Sequence, residues 1–426
     1  MAEPVERGAR LRVRAGNALG SPLSALARRA VHAGFRRIEA GEVVLHEDGR
    51  VLRFGRATDE FPLSVEVYMH APEAYGRILL GGSIGAGEAY MAGLWSCSDL
   101  VGLMRIMSRN LSVLARMEVG WARLAAPARS LFKFLRANTP GGSRRNIAAH
   151  YDLSNDFFKL FLDETMTYSC AYFESGETPL REASIEKYDR ICRKLGLSRS
   201  DSVLEVGCGW GGFAVHAASR YGCRVTGTTI SREQYDYACE RVRAAGLGER
   251  VTILFEDYRD LTGTFDKLVS IEMIEAVGHR NYDNFFRVCS DRLKPDGMMA
   301  LQAITIVDHA FRRQTRTVDF IKRYIFPGSC IPSVAAMMES VSRATDLRPV
   351  HLEDITPHYA RTLREWRERF FANIDGVRAL GLPESFIRMW EYYLCYCEGG
   401  FEERYIGDVQ MVLAKPLSRP SCHEVR

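Results

Sequence analysis

No uninterrupted apolar run in the chain approaches the roughly 20 residues that a membrane-spanning helix requires. A secretory leader is not expected either, because the arginines near the N-terminus are not followed by an apolar segment. Zinc-ribbon spacing is missing. The eleven cysteines are odd in number and irregularly placed, and Cys395/Cys397 and Cys208/Cys223 have no second cluster with histidine to complete a ligand set. No metal site is therefore expected, and a reduced, cytoplasmic setting fits these cysteines better than a disulfide framework. Internal repeats and low-complexity tracts are also lacking. What remains is a globular protein, soluble or peripheral to a membrane.

At 426 residues, 46% hydrophobic and 26% charged, the composition is ordinary and the length suggests two domains with separate cores. The formal charge of +4 is small but uneven: Arg7, Arg10, Arg12, Arg14, Arg28, Arg29, Arg36 and Arg37 face only Glu3 and Glu6. That asymmetry points to an anionic partner, expected to be a membrane surface and not nucleic acid.

From about Ser21 to Ile38, Leu23, Leu26, Ala27, Ala30, Val31 and Phe35 share one helical face flanked by arginines. Such a basic amphipathic helix either packs on its own domain or meets a membrane directly. A hairpin follows, with runs at Ile38–Leu45 and Val51–Phe54 about a turn at Glu47-Asp48-Gly49, and a third strand over Leu63–His70. Beyond Ala71 the pattern turns helical, with Gly81, Gly82 and Gly85 breaking it and Ser98 as N-cap of a helix through Ile106. Residues 1–120 thus read as a small α+β domain. Residues 121–143, basic and ending near Pro140-Gly141-Gly142-Ser143, read as a linker, and 144–426 as a second domain.

In that second domain, strand-like runs at Ser202–Val206, Arg224–Thr228, Val251–Phe255, Lys267–Ile271 and Met298–Ala303 alternate with helical segments. The expectation is an α/β, Rossmann-like domain built on a mostly parallel sheet with helices on both faces. The first of these runs enters Gly207-Cys208-Gly209-Trp210-Gly211, a turn where glycine permits positive φ and close approach of backbone to a ligand. The spacing is Gly-x-Gly-x-Gly and Glu205 precedes it. This differs from the dinucleotide-binding pattern and fits the turn of S-adenosylmethionine-dependent methyltransferases, where no phosphate has to be cradled. The second run ends without a carboxylate to hold a ribose, so Thr229 and Gln234 would have to bind the hydroxyls. After the third, Asp257 and Tyr258 are placed to meet an adenine.

Longer motifs then become specific. Residues 145–158 read RNIAAHYDLSNDFF and 168–173 read YSCAYF; LEVGCGWGG, GTTISREQ, IEMIEAVGHRNY, KRYIFPGSCIPS, PHYARTLREW and YYLCYCEGGFEERYIGDVQ follow. Together, from about Arg144 to Gln410, they resemble the cyclopropane-fatty-acyl-phospholipid synthase family, which includes mycolic acid cyclopropane synthases and fatty-acid C10-methylating relatives. The resemblance implies a seven-stranded class I methyltransferase domain that adds a one-carbon unit from S-adenosylmethionine to the double bond of an unsaturated phospholipid acyl chain. A homodimer stays open.

Carried over position by position, the resemblance implies that Tyr168, Ser169, Gly207, Gly209, Gly211, Thr229, Gln234, Asp257 and Tyr258 touch the cofactor, with Glu205 beside them. It further implies that Cys170, Glu275, Ile304 and Tyr359 surround a bicarbonate ion acting as base. Cys397 falls where the family carries a cysteine read as catalytic, although a thiol has no obvious step to perform. Gln302 stands where enterobacterial and mycolic members carry histidine, and glutamine donates an N–H but does not titrate near neutrality.

The chemistry asks for such a set. An alkene attacking a methylsulfonium leaves a carbocation in an apolar pocket, which aromatic faces such as Tyr168, Tyr172 and Tyr359 and a nearby anion would stabilise. The anion would then take a proton from the added methyl group, with ring closure as the expected outcome and methyl branching as the alternative. Drawing ten methylenes into water would cost about 8 kcal/mol, so an apolar channel is required. Its candidate walls are Tyr324–Gly328, Phe370, Phe371, Trp390 and Tyr392. A lipid-binding protein without catalysis would require a disabled glycine turn, and this turn is intact.

Overall fold

The computed structural model describes residues 22–111 and 153–419. In the first stretch the helix Pro22–Phe35 precedes β1 (Gly41–Glu47) and β2 (Arg50–Arg56). Asp48 and Gly49, at φ +47° and +71°, make the two-residue turn of this hairpin. The strand β3 (Ser64–Met69) runs parallel to β1, and β4 (Trp95–Cys97) closes a sheet of order β2-β1-β3-β4. Three residues are too few to show alternation, which is why β4 is not visible in the sequence.

The basic amphipathic helix buries Ala27 and Val31 against Tyr75 and Ile78. Its Arg28 lies 2.6 Å from Glu47, so this arginine serves packing within its own domain. Of the three glycines expected to break the next helix, Glu73–Met91, Gly82 alone leaves helical geometry, at φ 58° and ψ −134°. The expected cap at Ser98 is displaced by one residue. Asp99 caps the helix Leu100–Arg109 by accepting from the Gly102 N–H at 2.9 Å, while Ser98 Oγ accepts from the Glu66 N–H at 3.1 Å.

The second stretch carries β5 (Ser202–Val206), β6 (Arg224–Thr229), β7 (Val251–Phe255), β8 (Phe265–Ile271), β9 (Leu293–Ile306), β10 (Arg348–Asp354) and β11 (Ile406–Ala414). They form one sheet of order β10-β11-β9-β8-β5-β6-β7, in which β11 runs antiparallel to both of its neighbours and the other pairings are parallel. Separate apolar clusters cover its two faces, one around Phe213, Ala238 and Ile191 and the other around Phe285, Met337 and Leu268. This is the expected α/β architecture. Chain order reverses between β5 and β8, and such a reversal opens a crevice at the carboxyl edge of the strands.

The cores are not separate. One apolar cluster runs from Val43, Trp95 and Met104 into Phe157, Trp366, Trp390 and Phe401. The helix Glu384–Glu402 joins them: Glu391 accepts from Tyr90 OH at 2.7 Å, and a Cβ at Gly399 would stand 2.7 Å from Met104. The linker expected at 121–143, the motif residues 145–152 and the arginines at 7–14 lie outside the described residues. Among the described residues no helix is long and apolar enough to cross a membrane.

At the amino edge of the sheet, Asp266 accepts from the Ser202 N–H at 2.9 Å, from Ser202 Oγ at 2.6 Å and from Lys294 Nζ at 2.6 Å, tying β8 to β5. Burial opposes ionisation, but Lys294 and Ser202 outweigh it and hold the carboxyl down to about 2. A lowered folded pKa contributes stability above the unfolded value of about 3.9 that is lost as pH falls below it. Asp266→Asn is therefore expected to destabilise the protein by about 1–2 kcal/mol at neutral pH. Denaturant titrations of the two proteins should converge as pH approaches about 2.

Candidate active site

A cavity of about 410 Å³ opens at the carboxyl edge of the sheet, within the size range of small-molecule sites. At one end stands the turn after β5, where Gly207, Gly209 and Gly211 all adopt positive φ, at 84°, 51° and 78°. A Cβ built on Gly209 meets no atom within 4 Å, so that backbone faces open space. Tyr168, Ser169, Glu205, Thr229, Gln234, Asp257 and Tyr258 line the same cavity, so it brings together every residue expected at the cofactor except Gly211. Gly211 instead packs a helix against its neighbour, with its would-be Cβ 3.1 Å from Ala238.

The polar groups here are partly committed. Thr229 Oγ1 donates to Gln234 Oε1 at 2.9 Å, leaving the amide nitrogen of Gln234 as the group to offer a ligand. Arg259 grips Asp257 at 2.8 and 2.6 Å, so the Asp257 carboxylate is already paired. Glu205 is 3% exposed, its Oε2 has no partner, and burial pushes its carboxyl well up. An unpaired buried acceptor beside an open glycine turn suits a ligand bearing hydroxyl or ammonium donors.

The other end holds a cluster of acids. Glu272 follows β8 in left-handed conformation at φ +49°. Its Oε1 accepts from the Cys170 N–H at 2.7 Å and from Gln302 Nε2 at 2.8 Å, and its Oε2 accepts from Tyr359 OH at 2.6 Å. Gln302 Nε2 also donates to Asp408 Oδ2 at 3.0 Å, and Gln410 Nε2 donates to Gln302 Oε1 at 3.1 Å. Glu275 accepts from the Ile304 N–H at 2.5 Å, while its Oε2 is buried without a partner. Burial, then the neighbouring Glu272, pushes Glu275 up to about 8. Lys187, fully buried, donates to Ser169 Oγ at 2.6 Å and is pulled down to about 8 by burial.

Of the residues expected around an anion, Glu275, Ile304 and Tyr359 line the cavity, but Cys170 and Gln302 do not, at 0% and 1% exposure. The Cys170 thiol donates to the Ala171 carbonyl at 3.2 Å, and burial raises its pKa strongly. Cys397 does line the cavity, yet burial pushes its thiol far above neutrality, which disfavours a thiolate nucleophile. Glu272, Lys187, Asp408 and Gln410 are functional candidates that the sequence reading missed. Glu272 had only its position, one residue past a parallel strand, to mark it.

The walls also differ in part. Phe326 and Pro327 line the cavity, whereas Phe370 and Trp390 are buried in the shared core, and Tyr392 packs on Phe320. From the helix Glu384–Glu402 it is Tyr393, Tyr396, Cys397, Gly400 and Phe401 that face inward, a helical stripe one step around from the expected face. Tyr172 is covered by His358 at 4.1 Å and Arg190 at 4.0 Å and does not reach the cavity. Met104, Met107 and Leu111 of the first stretch complete the wall.

Fold and site together define a class I S-adenosylmethionine-dependent methyltransferase with an apolar acceptor cavity. The model of the mycolic acid cyclopropane synthetase family matches residues 140–411, and the chain belongs to that family. It is 42% identical over 366 residues to the tuberculostearic acid methyltransferase of Mycobacterium tuberculosis, covering 83% of this chain and 84% of that one. It is 38% identical over 360 residues to the cyclopropane-fatty-acyl-phospholipid synthase of Escherichia coli strain K12, covering 82% and 88%. A solved mycolic acid cyclopropane synthase complexed with SAH and CTAB superposes with a TM-score of 0.60 at 35% identity, over 64% of this chain and 98% of that one.

Proposed function

We propose that this enzyme transfers a one-carbon unit to the double bond of an unsaturated acyl chain carried on a phospholipid, with the cyclopropane chain as product. The observation that carries this reading is one cavity joining an open glycine turn, an aromatic and apolar wall, and buried carboxyls. S-adenosylmethionine would be held by the turn after β5 with Tyr168, Ser169, Gln234 and Glu205, whose Oε2 has no partner, and would supply an electrophilic methyl group.

The chain's own residues do the rest. The wall around Phe326, Leu363, Tyr393 and Phe401 takes the acyl chain out of water. The faces of Tyr168 and Tyr359 and the carboxyls of Glu272 and Glu275 offset the positive charge that develops on the alkene carbon. Proton removal needs an anion at this end of the cavity, either bicarbonate, as the family resemblance implies, or a side chain. The arginines at 7–14 are proposed to meet an anionic membrane surface from the cytoplasmic side.

Methyl branching is a second reading, in which a hydride shift precedes proton loss and leaves an exocyclic methylene. It is favoured by Gln302 in place of histidine and by the likeness to a tuberculostearic acid methyltransferase. The test is transfer of labelled methyl to anionic vesicles bearing a monounsaturated chain, followed by mass spectrometry of the lipid with no reductase present. Label in the lipid as a ring is expected. Mostly methylene product would replace the first reading with the second, and label confined to soluble acceptors would overturn both. Vesicle binding should weaken as salt is raised, since each arginine near an anionic surface contributes about 1 kcal/mol and is screened.

A further inference from the structure

The donors that the family resemblance assigns to a bicarbonate ion are already taken. The Cys170 N–H, Tyr359 OH and Gln302 Nε2 all point at the carboxylate of Glu272, at 2.6 to 2.8 Å. Glu275 offers no replacement, because its Oε1 is occupied by the Ile304 N–H. The surroundings are unfavourable as well. Glu272, Glu275 and Asp408 share this end of the site and burial pushes all three carboxyls up, so a further anion would meet the same desolvation cost.

Glu272, by contrast, has what such an ion would bring. Glu272 is among the residues that line the cavity, whereas Cys170, Gln302 and Asp408 are not. Its backbone sits at φ +49°, in the left-handed region that disfavours a non-glycine residue. Strain of that kind persists where surrounding groups over-determine it, and here three hydrogen bonds to the carboxylate do so. Gln302 fits the same logic: its amide donates to Glu272 and Asp408 while its oxygen accepts from Gln410, so it is a fixed clamp with no titration of its own.

We infer that Glu272 is the catalytic base of this enzyme and that its carboxylate takes the place of a free bicarbonate ion. This rests on the alkene-methylating reading above. The alkene π pair forms the new C–C bond as the C–S bond breaks and its pair leaves on sulfur. Glu272 then removes a proton from the added methyl group. The released C–H pair closes the ring at the cationic carbon or, after a hydride shift, forms the exocyclic double bond. The proton rests on Glu272 until it passes to solvent.

The experiment compares native protein, Glu272→Gly and Glu272→Gln in buffer stripped of carbon dioxide and in buffer with added bicarbonate. The readouts are methyl transfer to monounsaturated phospholipid vesicles and, separately, S-adenosylmethionine binding by calorimetry. Glycine suits φ +49°, so the first variant relieves strain while vacating the space in front of three donors. Native turnover is expected to be independent of bicarbonate. Both variants should lose about 10²–10⁴-fold in turnover with cofactor affinity retained. Bicarbonate should restore part of the loss in Glu272→Gly but none in Glu272→Gln, whose amide fills the space. Native enzyme that loses turnover in stripped buffer and regains it with bicarbonate would overturn the inference, as would a fully active Glu272→Gln. No lipid labelling by native protein in either buffer would instead bring down the alkene-methylating reading, and this inference with it.

Discussion

Gly209→Val is expected to abolish S-adenosylmethionine binding while leaving the fold intact. Gly209 stands at φ +51°, where a β-branched residue is strongly disfavoured, and a Cβ there meets no atom within 4 Å because the space in front of it is the cavity. The valine side chain would thus enter the volume reserved for the ligand. Its neighbours are less clean probes. A Cβ on Gly207 would stand 2.7 Å from Met273 and one on Gly211 would stand 3.1 Å from Ala238, so substitutions there disturb packing first. Calorimetry should show affinity lowered at least about a hundredfold, about 2.7 kcal/mol, with thermal unfolding still cooperative. Binding at native affinity would mean that the cofactor lies elsewhere.

Glu275→Gln is expected to have the complementary effect, with turnover lowered about 10²-fold or more and cofactor affinity nearly unchanged. Glutamine keeps the size of the side chain and can still accept from the Ile304 N–H. What it cannot do is take up negative charge as the carbocation develops. Glu275 is pushed up to about 8, so it is a neutral acid below that pH and gains its charge as pH rises through it. Native turnover should accordingly show a rising limb near that value, absent from the variant. Stability supplies the control. A carboxyl whose folded pKa is raised disfavours the folded state once pH exceeds its unfolded value, so removing it should leave the variant at least as stable as native protein in mildly alkaline buffer. Equal loss of cofactor affinity in Gly209→Val and Glu275→Gln would mean that the two ends of the cavity are wrongly assigned.

Much of this was legible in the chain. The runs that became β5 to β8 are short, contain β-branched residues and are bounded by turn residues, so alternation with helices identified a parallel sheet without any tertiary knowledge. The glycine turn was equally plain, because positive φ at three alternating positions leaves little choice of residue. Other elements were not legible for definite reasons. The edge strand β10 is largely exposed and carries no clear alternation, and β11 owes its reversed direction to the slot between β9 and β10. The helix Glu384–Glu402 is apolar on more than one face because it serves two neighbours, so periodicity could not say that Trp390 turns to the core and Tyr393 to the cavity.

By itself, then, the sequence determined the parallel part of the sheet, the glycine turn and the family, since these depend on local backbone demands and on contiguous motifs. Which carboxylate would stand at the reacting end was decided only by tertiary structure. Cys170, Glu272, Gln302 and Tyr359 come from four separate places along the chain, and only folding brings three donors around one acid. The reason is that a hydrogen-bonded cluster is specified by distances in space, on which spacing in sequence places almost no constraint once the residues belong to different elements.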